Sequence, residues 1–272
     1  MSKKQKHIID LRRILSSASK RKVQDELFRY IIANSNLPGP RGNLELASAF
    51  EQTISSQISK DSVEEFWELC SFMSNISAEE APVNDPKEFI AFCGTRGLGA
   101  IGAALPEYQE KTLFRLRTLA QDSRWRMREA VAMALQKLLS NSDIRIRKEL
   151  ENWIEQGDWL VLRGVVAGIA EPSLMKDVGF AKWALEVHVK VFDRLGVSSN
   201  RKSDEFRILR KALGYTLSVV VKAVPSTGFQ LLEELIKKEN ADIKWIVKEN
   251  LKKKRLLSNF PEEVALLTNK MG

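Results

Sequence analysis

The stretch Asp122-Ser-Arg-Trp125-Arg-Met-Arg128-Glu-Ala-Val-Ala-Met-Ala-Leu135 sets an aspartate six residues ahead of an arginine that opens an apolar, small-residue run. The same arrangement recurs at Asp204-Glu-Phe-Arg207-Ile-Leu-Arg210-Lys-Ala-Leu-Gly-Tyr-Thr-Leu217 and at Asp242-Ile-Lys-Trp245-Ile-Val-Lys248-Glu-Asn-Leu251. A looser copy is Gly157-Asp158-Trp159-Leu-Val-Leu-Arg163. The basic residues 128, 163, 210 and 248 are 35, 47 and 38 apart, the period of a helical repeat protein.

Met127, Val131, Ala134, Leu135 and Leu138 form one stripe of a helix over 125–139. Asp122 or Ser123 can cap it, because a short side-chain oxygen accepts the unpaired amide hydrogens of a first turn, and Asp204 and Asp242 stand in the same place in their copies. Helix pairs follow at 107–120 with 123–140, 143–156 with 158–170, and 226–239 with 242–257. A long helix, or two short ones, is expected over 173–196. Breaks fall at Glu171-Pro172, Val197-Ser-Ser-Asn200 and Val224-Pro225. A short final helix starts at Pro261. Upstream, 8–18, 22–33, 43–58 and 61–75 read as helices, separated by Leu37-Pro-Gly-Pro-Arg-Gly42 and a loop over 77–86. No run alternates apolar and polar residues as a half-buried strand does. The expected fold is all-α, a right-handed α-solenoid in which 1–104 is an N-terminal helical capping region and 105–272 carries the repeats.

The 272 residues contain 44% hydrophobic and 29% charged residues, a globular balance. No apolar stretch reaches the roughly 20 residues of a membrane span, and Asp10 and Arg12-Arg13 interrupt the start where a signal peptide needs an apolar core. Cys70 and Cys93 lack metal-ligand spacing and read as buried thiols of a reducing cytoplasm. With His7 and His188 the only histidines, no metal site is expected. The net charge of +8 is concentrated at the ends: residues 1–22 hold eight Lys/Arg against one acid, and 237–255 eight against three. Such clustering suits an anionic partner, nucleic acid or an acidic protein. A monomer is expected.

At Met127–Leu135 the chain resembles the HEAT repeats, whose second helix opens with an aspartate, a hydrophobic-basic pair and a small-residue run. The match is close at Asp122, Arg128, Ala130, Ala132, Ala134 and Leu135, and looser at Asp242 and Lys248, with Asn250 where a small residue is usual. The resemblance implies structural roles for Asp122, Arg128, Arg163, Asp204, Arg210 and Asp242, with basic residues linking neighbouring repeats. Asp204–Tyr215, followed by Val224-Pro225, and Trp159-Leu-Val-Leu-Arg163 are also similar to the DNA alkylation repair family, HEAT-like glycosylases that remove alkylated purines. That resemblance implies a site with aromatics and a carboxylate at Trp125, Glu129 and Tyr215, where Glu replaces the family's Asp and Tyr its Trp.

Trp125 and Glu129 share one helix face, where a carboxylate beside an aromatic can stabilise a cationic sugar transition state. Trp245 and Glu249 repeat the spacing, which favours a repeat feature over a catalytic one. Lys244, Lys248, Lys252 and Arg255 line one side of the last repeat helix, and Arg124, Arg126, Arg145, Arg147 and Lys148 extend a basic surface for phosphate contacts if the repeats stack in parallel. Gly97-Leu-Gly99-Ala-Ile-Gly102 has dinucleotide-loop spacing but lacks a surrounding parallel sheet, so close helix packing or a tight turn is expected and no cofactor. The function so implied is a non-catalytic binding protein with a basic face for nucleic acid. The alternatives are an alkylpurine glycosylase with altered catalytic residues and a protein-protein scaffold.

Overall fold

The computed structural model describes residues 1–16, 20–141, 144–197 and 201–271, and every regular element among them is a helix. The break expected at 198–200 and the junctions at 17–18 and 143 lie outside the described residues. The chain divides into two compact units, Met1–Ser142 and Asp143–Gly272. The seam anticipated at 104/105 thus falls inside the first unit.

That unit comprises α1 (Lys3–Leu15), α2 (Lys20–Asn34), α3 (Leu44–Gln57), α4 (Val63–Ser74), α5 (Glu88–Ala104), α6 (Gln109–Leu119) and α7 (Trp125–Leu139). Here α1 packs on α3, α3 on α5 and α5 on α7, with α2, α4 and α6 packed across that row. Helices in register with the next-but-one helix are the stacking of an α-solenoid, and here it begins at the N-terminus, in the region expected to be an irregular cap. Helix α5 lies at the centre. Its sequence is apolar apart from Glu88, Thr95 and Arg96, which suits a helix enclosed all round, and Phe89–Cys93 lies within its first two turns. The glycines let it approach its neighbours: a Cβ on Gly94 would stand 2.5 Å from Met73 Cβ of α4, and one on Gly99 2.6 Å from Ala134 Cβ and 2.7 Å from Ala134 Cα of α7. Gly97-x-Gly99-x-x-Gly102 is therefore a packing surface. Gly99→Val is expected to lower stability by about 1–3 kcal/mol through overpacking, read as a lower urea midpoint; an unchanged midpoint would mean that α5 and α7 separate without cost.

Three arginines fix the entry to α7. Arg124, only 2% exposed, donates to the carbonyls of Ile76 (2.8 Å), Ser77 (3.2 Å) and Ala81 (3.1 Å) and to the Asp122 carboxylate (2.7 Å). Arg126 pairs with Glu88 at 3.0 Å and donates to Gly39 O at 2.7 Å and Asn84 Oδ1 at 2.9 Å. Arg128 turns back on its own loop, donating to Asp122 O and Ser123 O at 2.7 and 2.8 Å.

The second unit comprises α8 (Ile144–Gln156), α9 (Trp159–Ile169), a 3-10 turn at Leu174–Lys176, α10 (Val178–Val197), α11 (Asp204–Ala223), α12 (Pro225–Lys237), α13 (Ala241–Leu251), α14 (Lys254–Leu257) and α15 (Pro261–Lys270). The row is α9, α11, α13, with α8, α10 and α12 across it and α14 and α15 at the end. Arg210 of α11 reaches Asp242 of α13 at 3.0 Å and lies over the Trp245 ring at 4.1 Å, so this one aspartate and this one arginine do join neighbouring row helices. Asn250 is fully buried because it serves the α11 backbone, accepting from Ser218 N and donating to Leu213 O, both at 2.8 Å.

The caps differ from those expected. Ser203 Oγ caps α11, accepting from Phe206 N, and Asn240 Oδ1 caps α13, accepting from Asp242 N and Ile243 N. Asp204 and Asp242 stand inside the first turns, where a carboxylate still meets the positive end of the helix dipole. Asp122 precedes the first residue of α7 by three and accepts from Arg124 N at 2.8 Å. Only Asp158 of the looser copy occupies a cap, accepting from Leu160 N and Val161 N at 3.0 Å. A cap must sit one residue ahead of the helix in extended backbone, and the helices begin out of step with the aspartates.

Candidate functional site

The helix rows leave accessible residues at regular spacing, and the two units differ in what they display. On α7 the accessible positions are Trp125, Glu129, Met133, Gln136 and Lys137, the remainder of the helix being buried. Trp125, Glu129 and Met133, with the buried Arg126, line a cavity of about 400 Å³ together with Pro40, Arg41, Gly42 and Leu44 from the 37–44 segment and Phe89 and Phe92 from α5. Trp125 is 44% exposed, and the buried Arg126 guanidinium stacks on its ring at 4.4 Å, fixing the ring plane from behind. An aromatic floor with one carboxylate on its wall can hold a planar ring and favours one that is cationic or electron-poor.

The Trp–Glu spacing recurs in α13 with a different outcome. The Trp245 ring lies against Gly214, 3.2 Å from where a Cβ would stand, with Arg210 on its face. Glu249 accepts from Lys252 at 2.6 Å, and that ammonium holds its carboxyl below the usual range. Recurrence in sequence did not carry recurrence in environment: Trp125 faces a cavity, while Trp245 packs on the adjacent helix.

In the second unit the accessible side of α11 presents Arg207, Lys211, Tyr215 and Lys222, at i, i+4, i+8 and i+15. Tyr215 is 37% exposed. Helix α13 adds Lys244 and Lys248, followed by Lys252. Among the described residues Lys211, Lys222, Lys244 and Lys248 form no salt bridge, whereas Arg207 pairs with Asp204 at 2.9 Å.

Of the basic residues singled out from sequence, Arg145 and Lys148 are exposed on α8. Arg147 is mostly covered, stacked on Phe180 (5.0 Å) and Trp183 (5.4 Å) and 4.0 Å from Asp177. Arg124 and Arg126 are buried, with Arg124 donating to backbone carbonyls and Asp122 and Arg126 to Glu88, Gly39 O and Asn84 Oδ1, and only Arg126 borders the cavity. Arg163 is buried in α9, and Arg255 lines a second cavity beside α11. Trp125 and Glu129 come together in one cavity; Tyr215 belongs to the other unit. Phe89, Phe92 and Met133 were not expected at the site, nor Arg207, Lys211 and Lys222. The spacing of the latter three with Tyr215 was readable as a polar helix face. The former depend on α5 and α7 lying side by side.

Among the described residues no group of three or more His, Cys, Asp or Glu could hold a metal ion, and no helix is long and apolar enough to cross a membrane. No protein-family model matches the chain, and no curated protein matches it. Among solved structures, a crystal structure of an engineered protein is similar at 15% identity and a TM-score of 0.36, over 92% of this chain and 97% of that one. A designed armadillo repeat protein is similar at 16% identity and a TM-score of 0.28, over 82% and 98%. At TM-scores this low, neither says anything about what this chain binds.

Proposed function

We propose that this helical-repeat chain is a nucleic-acid-binding protein that contacts phosphates through the accessible side of α11 and α13. The observation that supports the reading is that Lys211 and Lys222 of α11 and Lys244 and Lys248 of α13 are exposed and form no salt bridge among the described residues, with Tyr215 exposed on α11. Each lysine that neutralises a phosphate releases a condensed counterion, so binding weakens steeply with salt and carries no base sequence preference. A tyrosine among them offers a stacking face to an unpaired base. Fluorescence anisotropy with duplex and single-stranded oligonucleotides at about 50 and 200 mM salt is the test. Lys211→Ala/Lys248→Ala is expected to flatten the log–log salt slope by roughly 1–2, and Tyr215→Ala to weaken single-strand binding about tenfold. Negligible binding at low salt removes the reading and leaves an acidic protein as the partner such a face would accept.

The cavity at Trp125 and Glu129 favours a second reading, excision of a cationic alkylated purine, as the resemblance to the DNA alkylation repair family implies. An alkylated ring would stack on Trp125, and the Glu129 carboxylate would stabilise positive charge developing on the sugar as the glycosidic bond breaks, the bonding pair leaving with the base and water adding to the anomeric carbon with loss of a proton. Release of methylated bases from alkylated DNA, lost in Glu129→Gln and in Trp125→Ala, is the expected result. No release by the parent protein leaves the cavity without this activity.

A further inference from the structure

Beside the basic face of α11, with which it shares Lys222, the second unit contains a cavity of about 390 Å³. It lies where the 3-10 turn at Leu174–Lys176, the last turns of α11 and the short α14 meet. Its lining is Pro172, Met175, Val219 and Ala223, with Lys176, Lys222 and Arg255 as its only charged members. Met175 and Val219 are buried, so the apolar part is a floor. The three cations come from three separate elements, and none forms a salt bridge among the described residues. No carboxylate lines the space. Some other cations of this unit are matched, as Lys190 is by Glu151 at 2.5 Å and Lys238 by Asp193 at 3.3 Å. Three like charges gathered on one small concavity repel one another, and an anion of matching charge relieves that repulsion while donating nothing to the floor.

We infer that this cavity is a binding site for a phosphomonoester, its dianionic phosphate held by Lys176, Lys222 and Arg255 and a compact ring-bearing body resting on Met175 and Val219. The guanidinium of Arg255 can take two phosphate oxygens at once, and the two ammonium groups complete the charge. The volume suits a ligand of mononucleotide size. Two sources present that chemistry, a free nucleotide and the 5′-phosphorylated end of a nucleic acid strand. The site does not depend on the proposed function: binding of the free nucleotide would sustain it with nucleic-acid binding absent.

Isothermal titration of the full chain with adenosine 5′-monophosphate, adenosine and inorganic phosphate tests the site, and anisotropy with oligonucleotides ending in 5′-phosphate or 5′-hydroxyl distinguishes the sources. The monophosphate is expected to bind at least about tenfold more tightly than adenosine, since the phosphate supplies the charge-assisted contacts. Inorganic phosphate, which leaves the floor uncovered, should bind more weakly than the monophosphate. Lys176→Ala, Lys222→Ala and Arg255→Ala should each weaken the monophosphate about tenfold, with Lys60→Ala in the other unit without effect and circular dichroism confirming that each variant is folded. A preference for the 5′-phosphorylated oligonucleotide, lost in Lys176→Ala, assigns the source to strand ends; binding of the mononucleotide without such a preference assigns it to free nucleotides. Equal binding of adenosine and its monophosphate, no binding of either probe class, or affinities unchanged in all three variants would overturn the site.

Discussion

Glu88→Ala should unfold at markedly lower urea, with a loss of about 3–5 kcal/mol, because it strands a charge in the core. The Glu88 side chain is completely buried and that of Arg126 nearly so, with 3.0 Å between them. The same carboxylate oxygen accepts from the backbone of Asn84 at 3.0 Å. Alanine removes the acceptor that serves both donors and leaves the guanidinium without its counter-charge. Glu88→Gln keeps the shape and an acceptor, so its loss should be smaller. Glu88→Leu/Arg126→Met removes both charges together and should recover much of the loss, because the desolvation cost of the pair disappears with it. If the double variant is no better than Glu88→Ala, the loss comes from packing and not from the stranded charge. The consequence reaches the Trp125 cavity: Arg126 holds Gly39 O, which anchors the segment supplying Pro40, Arg41 and Gly42, and it stacks on Trp125. A change in Trp125 emission is therefore expected in Glu88→Ala even under conditions where the protein remains folded.

Acid should destabilise the second unit through His188, by about 3 kcal/mol between neutral pH and pH 4. The ring is fully buried between α10 and α11, donating from Nδ1 to Ala184 O at 2.8 Å and accepting at Nε2 from the Thr216 hydroxyl at 3.1 Å. Those partners suit the neutral ring, and burial lowers its pKa from 6.5 to about 4. In the unfolded chain the ring takes a proton near pH 6.5, whereas the folded protein refuses it until about pH 4. The unfolded state therefore binds more protons in this window. The stabilisation is fully present above 6.5 and is lost progressively as pH falls to about 4. His7, which burial also pushes down, acts in the same direction, so the comparison must be made with His188→Gln. The variant's urea midpoint should fall less between pH 7 and 4.5 than that of the parent. Identical pH profiles would mean that the folded protein accommodates the charged ring.

The caps show how far local reading reaches. A residue with a short oxygen side chain ahead of each repeat helix was correctly a signal that a helix starts nearby. Which residue caps depends on the turn at which the backbone becomes helical, and Ser203 and Asn240 hold those positions because the chain bends there. The aspartates at 204 and 242 are displaced by one or two residues into the first turn. The candidate site was legible in part. The four-residue spacing put Trp125 and Glu129 on one face without any need of tertiary structure, and the same spacing lined up Arg207, Lys211 and Tyr215. The aromatic wall came from α5, whose largely apolar sequence, with Glu88, Thr95 and Arg96 its only polar members, shows no clear polar face. A helix enclosed on every side has no amphipathic period by which its neighbours could be inferred.

Helical character and repetition were settled by the amino-acid sequence, since a period of 3.6 and a recurring Asp-to-basic spacing are properties of neighbouring residues and need no partner. The fate of each charge required the folded chain. Arg124 and Arg126 stand two residues apart in one basic motif and look equally available. Yet Arg124 is consumed by carbonyls 43 to 48 residues away and Arg126 by a carboxylate 38 residues away, while Lys176, Lys222 and Arg255 from three unrelated segments converge without acids. Coulomb and hydrogen-bond energies depend on separation in space, and spatial separation between distant segments is created by packing of the apolar faces, to which the charges themselves contribute little.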